Sequence, residues 1–282
     1  MLLMKDYAAI TLKPLFPEPA LLIQREDYTV LTVADLHIGW ESSLSDYGIY
    51  IPSQTKRLLK KLVELLTTLK PQILILLGDV KHAIVKFEKT EWVDVPEFLK
   101  TTKNLVEKVV IVPGNHDGDL ETLTPEGIEI VESGGLALWD EVGFFHGHSW
   151  PKPELFKCQT LVIGHIHPAI AFRDRFNSRF LKRVWVKAHI EPERLKQHLS
   201  KRIKTNNFKL RFKRLIIMPS FNDFMRGQAI NEDDFEETAI GAISPILRTG
   251  CIDMKNSEIY LLDGIYVGSF KDVREITRTP LL

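Results

Sequence analysis

Seven of the nine histidines in this chain of 282 residues lie in, or within three residues of, five short polar motifs. Imidazole nitrogens, carboxylate oxygens and amide oxygens together suit divalent ions such as Mn²⁺, Fe²⁺, Zn²⁺ and Co²⁺. A structural zinc site would instead need thiolates, and no cysteine takes part. The residue types therefore predict a metal site assembled from distant segments. The motifs are, in chain order, Asp35-Leu36-His37, Gly78-Asp79, Gly114-Asn115-His116-Asp117, His146-Gly147-His148 and Gly164-His165-Ile166-His167.

Each motif follows a short apolar run with the character of a buried β-strand. Such runs, alternating with helical patterns, are typical of the strands of an α/β sheet. Ligands of these sheets gather beyond the carboxyl ends of the strands, so we expect the five motifs to meet at one rim. The runs are residues 30–34, 73–77, 109–112 and 161–163, and 142–145, which is expected to pair with 136–139 as a hairpin.

Helical spacing fills the gaps between the first strands. A helix is predicted over 53–69, opened by Pro52-Ser53, and a second within 91–107, with an inward face formed by Trp92, Val95, Phe98, Leu99 and Leu105. The strand, helix, strand order predicts parallel pairing with right-handed crossovers.

A change of pattern follows residue 170. Apolar runs at 185–186, 215–218, 259–262 and 265–267 predict a second, more antiparallel sheet. The predicted fold class is α/β, as an α+β sandwich of two packed mixed sheets flanked by helices. We expect a single domain over 1–282, with a motif-bearing part 28–170, a basic segment 171–214 and C-terminal strands within 215–282.

The charge of the chain is segregated although its total is zero. Residues 171–214 contain fifteen Lys or Arg against three acidic residues, a net +12, and the remainder of the chain is −12. A cationic stretch beside a metal site attracts a polyanion such as nucleic acid. The alternative is a solvated helix and loop whose cations pair with acidic neighbours.

Hydropathy and cysteine content bear on the compartment. No apolar run approaches the roughly 18 to 20 residues of a membrane span, and the first residues do not form a secretory signal. We expect a cytoplasmic protein without membrane contact. Cys158 and Cys251 are too few for a disulfide framework and are expected to be buried as small apolar side chains.

In this order the five motifs resemble those of the calcineurin-like metallophosphoesterase superfamily. The resemblance covers roughly residues 28–170 and implies a four-layer αββα metallophosphoesterase fold. Other stretches resemble a narrower archaeal and bacterial group of predicted phosphoesterases that includes ligase-associated DNA-damage-response endonucleases. Those stretches are residues 35–41, 48–52, 78–82 and 219–222.

The resemblance implies two divalent metal ions, Mn²⁺ foremost, with Fe²⁺, Zn²⁺, Co²⁺ and Ni²⁺ as alternatives. It implies that a hydroxide bridging the metals attacks phosphorus, because the two ions lower the pKa of water. One metal is assigned to Asp35, His37, Asp79 and His167, and the other to the shared Asp79 with Asn115, His146 and His165.

Two further catalytic roles are implied by the same resemblance. His116 is the general acid that protonates the leaving oxygen. Asp117 orients His116 through a hydrogen bond to its far ring nitrogen.

Three residues near the motifs are candidates for substrate binding: Lys81, His82 and His148. His82 stands where the superfamily often has an acidic residue, and it hydrogen-bonds a metal ligand, contacts phosphate or caps the loop. Lys81 either meets a phosphate oxygen or is a solvated loop residue. The aromatic residues Trp40, Tyr47 and Tyr50 either stack on bases or pack in the core.

The leading hypothesis is a two-metal phosphodiesterase or nuclease that hydrolyses DNA. A phosphatase or phosphodiesterase acting on nucleotides or other small phosphoesters is the first alternative, and the basic segment is then incidental. A non-catalytic scaffold subunit is the second. The expected partners are DNA bound through residues 171–214, a second copy of the chain in a homodimer, and DNA-repair proteins.

Overall fold

Two β-sheets pack face to face and carry helices on both outer sides in the computed structural model, which describes residues 9–85, 87–202, 210–232 and 244–278. This four-layer αββα arrangement confirms the predicted fold class. Both sheets are mixed, as expected.

The first sheet begins as an antiparallel meander and continues as a parallel sheet. β1 (Thr11–Pro14), β2 (Ala20–Arg25) and β3 (Tyr28–Ala34) pair antiparallel. β3 then pairs in parallel with β4 (Ile73–Leu77), followed by β5 (Lys108–Val112) and β6 (Glu129–Ile130). Helix α1 (Thr55–Leu69) connects β3 to β4, and α2 (Lys89–Lys103) connects β4 to β5. The parallel register places the carboxyl ends of β3, β4 and β5 side by side.

The second sheet contains the remaining strands. Its path is β13-β10-β11-β12-β9-β8-β7, and β14 and β15 pair beyond β11. The parallel pairs β8–β9 and β9–β12 bring further carboxyl ends to one rim. The bounds are β7 Leu136–Leu138, β8 Val142–Phe144, β9 Thr160–Ile163, β10 Pro168–Arg173, β11 Arg179–Ile190, β12 Arg214–Ile217, β13 Gln228–Ala229, β14 Ile252–Leu261 and β15 Tyr266–Ser269.

Helices on the second sheet complete the fourth layer. These are α3 (Pro192–Arg202), α4 (Pro245–Arg248) and α5 (Phe270–Arg278). Short 3₁₀ helices follow three of the strands, at Trp40–Tyr47, Leu120–Leu123 and Pro153–Lys157. No helix in the described ranges combines the length and the apolar character that crossing a bilayer requires.

Alternation along the strands separates the core into layers. In β4, Leu74 and Leu76 pack against the helices, while Ile75 and Leu77 face the second sheet. Trp185 of β11 is fully buried between the sheets. Because successive side chains of a strand point to opposite faces, a strand covered on both faces must be apolar at every position. This explains the continuous apolar runs seen in the sequence.

Some sequence expectations need correction. Trp92 is about half exposed and packs against Phe87, because the buried face of α2 is formed by Glu91, Val95, Phe98, Leu99 and Thr102. Leu105 lies beyond the end of α2 and is partly exposed. Helix α1 starts at Thr55 with Gln54 in the cap position, so Ser53 is not its cap. Cys158 and Cys251 are buried, as expected.

The buried carboxylate of Glu91 ties α2 to the loop that follows β4. It accepts hydrogen bonds from the backbone amides of His82 (2.9 Å), Ala83 (2.7 Å) and Glu88 (2.9 Å). The bond to Glu88 is half of a capping box at the start of α2. One side chain therefore fixes both a helix end and the loop that carries His82.

We expect Glu91→Ala to lower the free energy of unfolding by about 3 kcal/mol, because it leaves three partly buried backbone amides without their acceptor. Denaturant titration measures the change. Glu97→Ala, at an exposed position of the same helix, is the matched control and should change stability by no more than about 0.5 kcal/mol. Equal stability of the two variants would contradict the role given to Glu91.

Candidate functional site

The structure brings the five motifs together at the rim formed by the carboxyl ends of β3, β4, β5, β8 and β9. The backbones of the first two motifs are joined: the amide of Asp35 donates to Gly78 O (3.1 Å) and that of His37 to Asp79 O (2.8 Å). The fourth and fifth are joined in the same way, because Gly164 N donates to His146 O (3.0 Å). The sheet pairing thus continues past the strands and sets the spacing of the polar side chains.

The backbone at this rim adopts an unusual conformation. Five of the eleven non-glycine residues with positive φ in the described part of the chain are proposed metal ligands. Positive φ is uncommon for residues with a side chain, and clusters of such residues mark functional sites. The five are Asp35 (59°), His37 (45°), Asp79 (50°), His165 (67°) and His167 (46°).

Three glycines leave the space that the polar side chains occupy. A Cβ added to Gly78 would lie 2.1 Å from Nδ1 of His146, and one added to Gly114 would lie 2.1 Å from a carboxylate oxygen of Asp79. At Gly164 it would lie 2.8 Å from a carboxylate oxygen of Asp35. Only glycine permits these approaches, so Gly78, Gly114 and Gly164 are packing requirements of the site.

The first group of converging side chains contains Asp35, His37, Asp79 and His167, all with a donor atom within 4.8 Å of the others. Nε2 of His167 lies 3.1 Å from Oδ1 of Asp35. Nε2 of His37 lies 3.4 Å from Nε2 of His167 and 3.5 Å from Oδ2 of Asp79. These are the residues that the family resemblance assigns to one metal.

The second group contains Asp79, His146 and His165 within the same separation. Nε2 of His146 lies 3.3 Å from Oδ2 of Asp79, the oxygen that also faces His37. The other oxygen of Asp79 accepts a hydrogen bond from the amide of His116 (2.9 Å). Asn115, the fourth residue expected at this metal, is exposed on the loop directly before His116.

The tautomer of His146 supports a metal at this position. Its Nδ1 lies 3.0 Å from the carbonyl oxygen of Leu77, which can only accept, so Nδ1 carries the proton. In the neutral form of the ring, which is the form that binds a metal, Nε2 presents a lone pair, and this nitrogen is fully buried and makes no hydrogen bond. An unpartnered buried nitrogen facing a carboxylate fits a cation between them.

Electrostatics at the site favour positive charge. Burial alone would raise the pKa of Asp79, but the attraction of His146 holds the pKa below its usual range. The same balance lowers the pKa of Asp35, where the attraction of His167 outweighs the effect of burial. Burial would lower the pKa of His146, yet the attraction of Asp79 raises it to about 9. A divalent ion would take the place of that proton.

Burial outweighs the opposing attraction of the carboxylates at His37. It lowers the pKa of His37 to about 3, against the attraction of Asp79, so this imidazole is neutral and ready to bind a metal. Neutral imidazoles and ionised carboxylates are the forms that divalent ions require. The residues present therefore fit two divalent ions that share Asp79.

His116 has a different orienting partner from the one predicted. Its Nδ1 donates to the backbone carbonyl of His82, which leaves Nε2 for the site. Asp117 is buried and accepts from the amides of Val80 (2.8 Å), Lys81 (3.2 Å) and Gly114 (2.8 Å) instead. Burial raises the pKa of Asp117 to about 6. Asp117 therefore shapes the loops, and a carbonyl orients the proposed acid.

Lys81 does not face the substrate side. Its side chain is 1% exposed, and its ammonium group donates to the carbonyl oxygens of Ala83 and His116. Long-range pairing of this kind is not visible in a local motif. We correct the expected phosphate contact to a structural one: Lys81 joins the loops that carry His82 and His116.

His148 lies beside the second group rather than in it. Its ring centre is 5.4 Å from that of His146 and 6.0 Å from that of His165. Burial lowers its pKa to about 4, and its Nδ1 is buried without a hydrogen-bond partner. The substrate-side role expected of His148 stays a prediction.

The aromatic residues after the first motif divide into two kinds. Trp40 is half-buried and stacks on Phe224, with ring centres 4.9 Å apart. Tyr47 and Tyr50 are 81% and 83% exposed, so they do not belong to the core.

His82 contacts a proposed metal ligand. Its Nδ1 lies 3.2 Å from Nδ1 of His37, and burial lowers its pKa to about 4, so the ring is neutral. If His37 donates from Nδ1 to this acceptor, Nε2 of His37 keeps a lone pair for a metal. His82 would then orient the imidazole of His37 and fix its tautomer, a role that a carboxylate often has beside a metal-bound histidine.

We expect His82→Ala to weaken Mn²⁺ binding about 10- to 100-fold, because the ring of His37 loses the partner that fixes its tautomer. Calorimetric titration of metal-free protein measures the affinity. His82→Asn should restore most of it, since an amide oxygen can replace the ring Nδ1 as acceptor. His189→Ala, at an exposed site in β11, is the control. Unchanged Mn²⁺ affinity in His82→Ala would exclude this positioning role.

Comparison with known proteins agrees with this geometry. Residues 28–211 match the family model of calcineurin-like phosphoesterases, whereas no curated protein matches the sequence. The nuclease MPE of Pseudomonas putida is similar in structure, with a TM-score of 0.50 and 22% identity over 90% of this chain and 98% of that one. Yfce, a phosphoesterase from E. coli, is a weaker match: TM-score 0.33 and 20% identity over 53% of this chain and 75% of that one.

At these identities the solved structures show the fold alone. The family model, however, covers more than half of the chain, including all five motifs. The chain therefore belongs to the calcineurin-like phosphoesterases, a family of metal-dependent hydrolases that act on phosphoesters.

Proposed function

We propose that this chain is a two-metal phosphodiesterase that hydrolyses nucleic acid, with DNA as the foremost substrate and Mn²⁺ as the foremost metal. The observation that carries the proposal is the shared position of Asp79. One of its oxygens lies 3.5 Å from the ligating nitrogen of His37 and 3.3 Å from that of His146, so a single carboxylate serves both groups of ligands. A shared carboxylate is the economical way to hold two cations close together.

Two divalent ions bound here would supply Lewis-acid stabilisation of phosphoryl charge and a lowered pKa for water. The chain supplies the rest of the site. Asp35, His37 and His167 would hold one ion together with Asp79, and Asn115, His146 and His165 would hold the other together with Asp79. His116, anchored through Nδ1, delivers a proton from Nε2 to the leaving oxygen.

Support for a polymeric substrate comes from outside the metal centre. The P. putida protein that shares the fold is a nuclease. The basic segment 171–214 begins within β10, the strand that directly follows the fifth motif, and it contains β11 and α3. Lys204 and Lys209 of this segment lie outside the described residues, as do the side chains of Lys201 and Arg202.

One observation favours the alternative of a small phosphoester as substrate. Three arginines of the basic segment form ion pairs within the protein, as internal neutralisation predicts: Arg179 with Glu232 (2.8 Å), Arg183 with Asp223 (2.7 Å) and Arg211 with Glu141 (2.6 Å). These ion pairs partly neutralise the arginines and leave less positive charge to bind a polyanion. The scaffold alternative has less support, because every expected ligand is present.

The first test concerns the reaction. Mn²⁺-loaded protein should hydrolyse bis(p-nitrophenyl) phosphate faster than p-nitrophenyl phosphate, since the proposal is a diesterase, and should cleave labelled DNA in preference to free nucleotides. Protein stripped by a chelator is the control. Absence of turnover with Mn²⁺, Fe²⁺, Zn²⁺, Co²⁺ and Ni²⁺ alike would leave only the scaffold hypothesis. Activity confined to monoesters or nucleotides would select the small-substrate alternative.

The second test concerns His116. We expect His116→Ala to lower kcat about 10²- to 10⁴-fold, which is the range for general acid catalysis, while two Mn²⁺ ions per chain remain bound. Turnover and metal content are measured on the same preparation, and His189→Ala is the control. Loss of metal in step with activity would show that His116 is a ligand instead of a proton donor.

A further inference from the structure

A groove of about 690 Å³ opens beside the metal centre and is not used by the chemistry described above. A volume of this size is typical of sites that bind organic ligands. Its walls come from the turn after β1, the start of β11, the loop before β13 and the turn between β14 and β15. The lining residues that matter are Arg179, Phe180, Lys182, Arg183, Asp223 and Arg226.

The groove lies on the same rim as the metal ligands. β11 runs antiparallel to β12, and the pairing of Val186 with Ile217 places Arg183 beyond the carboxyl end of β12. The guanidinium of Arg183 there donates to the carbonyl of Ser220, whose hydroxyl donates to the carbonyl of Asp35 (2.9 Å). The groove wall and a proposed metal ligand are thus two hydrogen bonds apart.

A second connection joins the other wall to His167. The carbonyl of His167 accepts from the amide of Gln228 (2.9 Å), and a Cβ on Gly227 would lie only 2.3 Å from that carbonyl oxygen. Arg226 directly precedes this contact and is exposed. A substrate strand that extends from the metal centre past His167 would therefore contact Arg226.

Several charged side chains around the groove form ion pairs within the protein. Asp223 accepts from Arg183 (2.7 Å), Arg57 (3.1 Å) and Lys61 (3.2 Å). Arg179 is held by both carboxylate oxygens of Glu232 (2.8 Å each). These cations position the walls. Lys61 also pairs with Glu18 (2.8 Å), so the three cations around Asp223 are shared with a second carboxylate, and Asp263 is a further acidic residue of the lining.

Two cations of the groove remain free. Lys182 and Arg226 are exposed, and neither has an acidic partner in the described ranges. An exposed cation without a partner can bind an anionic ligand without breaking an ion pair within the protein. A paired cation must first lose its partner. Free cations outside a metal site fit phosphates other than the one being cleaved, such as the phosphates that flank the cleaved bond in a polynucleotide.

An aromatic ring accompanies these cations. Phe180 is 42% exposed and stacks on Phe172, with ring centres 5.6 Å apart and planes 18° apart. A ring braced on one face by another ring is a rigid platform, and unpaired bases stack on such platforms without sequence preference. A base within a duplex has no free face, so the occupant suited to this platform is single-stranded.

We propose that this groove binds the single-stranded nucleic acid that flanks the bond cleaved at the metal centre, through phosphate contacts from Lys182 and Arg226 and a base stacked on Phe180. The inference rests on the proposed nuclease function and extends it to the position and strandedness of the substrate. Backbone contacts and stacking are common to DNA and RNA, and the test therefore includes both.

The test compares matched double variants. Lys182→Gln/Arg226→Gln removes the two free cations, and Lys100→Gln/Lys157→Gln removes two exposed cations from the opposite rim, before β5 and β9. Binding of labelled single-stranded DNA, RNA and duplex DNA by Mn²⁺-loaded protein is followed by fluorescence anisotropy in the slow His116→Ala background over a range of salt concentrations. Phe180→Ala is measured in the same way.

With the groove variant, the slope of log affinity against log salt should become shallower by about 1.4, the value for two lost phosphate contacts to a single strand. Phe180→Ala should weaken single-strand binding about five-fold or more. In the active background, KM for single strands should rise in the groove variant while kcat is retained. The opposite-rim control should keep the wild-type slope.

The outcomes separate the two proposals. If active protein cleaves single strands but the groove variant keeps the wild-type slope and KM, the groove inference is overturned and the proposed function stands. If protein that hydrolyses bis(p-nitrophenyl) phosphate neither binds nor cleaves any nucleic acid, the proposed function fails and the groove inference with it. Equal weakening of duplex and single-strand binding would overturn the assignment of a single-stranded occupant.

Discussion

The carboxylate of Asp79 is the interaction on which the site depends. One oxygen accepts the amide of His116, which sets the position of the third motif relative to the second. The other oxygen faces histidines from two different segments. Burying an anion in this way is costly unless cations or donors surround it. The arrangement is therefore stable only with positive charge between the ligands, and protons or metal ions supply that charge.

The fold meets this requirement by holding the five motifs in fixed positions. Buried parallel strands hold the ends of β3, β4 and β5 in register, and backbone hydrogen bonds continue beyond them into the motifs. Glu91, Asp117 and Lys81 then fix the loops: Asp117 and Lys81 join backbone groups that are distant in sequence, and Glu91 ties the loop after β4 to the start of α2. A ligand set held so firmly reorganises little on binding, and the binding free energy is not consumed in ordering loops.

Much of this could be predicted from the sequence. The strands, their order and the rim follow from apolar runs, and the ligand types follow from short motifs, because both are local patterns. The hairpin of β1 and β2 was not anticipated, since its short strands, flanked by Pro14 and Pro17, give no clear alternation. The partners of Lys81, Asp117 and Arg183 were also not foreseeable, because they depend on contacts between segments that only the folded chain brings together. Charge counting along 171–214 likewise could not separate paired arginines from the free Lys182.

The left-handed backbone at five of the ligands has a consequence for how such a site can diverge. Asp, Asn and His tolerate this conformation better than most residues, and β-branched residues tolerate it poorly. The residue types that bind metal are thus also the ones the backbone accepts at Asp35, His37, Asp79, His165 and His167. Substitution by valine or isoleucine at these positions would disturb the backbone of the loop as well as remove the ligand. Substitution by asparagine or glycine could keep the backbone conformation while metal binding is lost. Descendants of this chain that abandon catalysis should therefore carry asparagine or glycine at these positions.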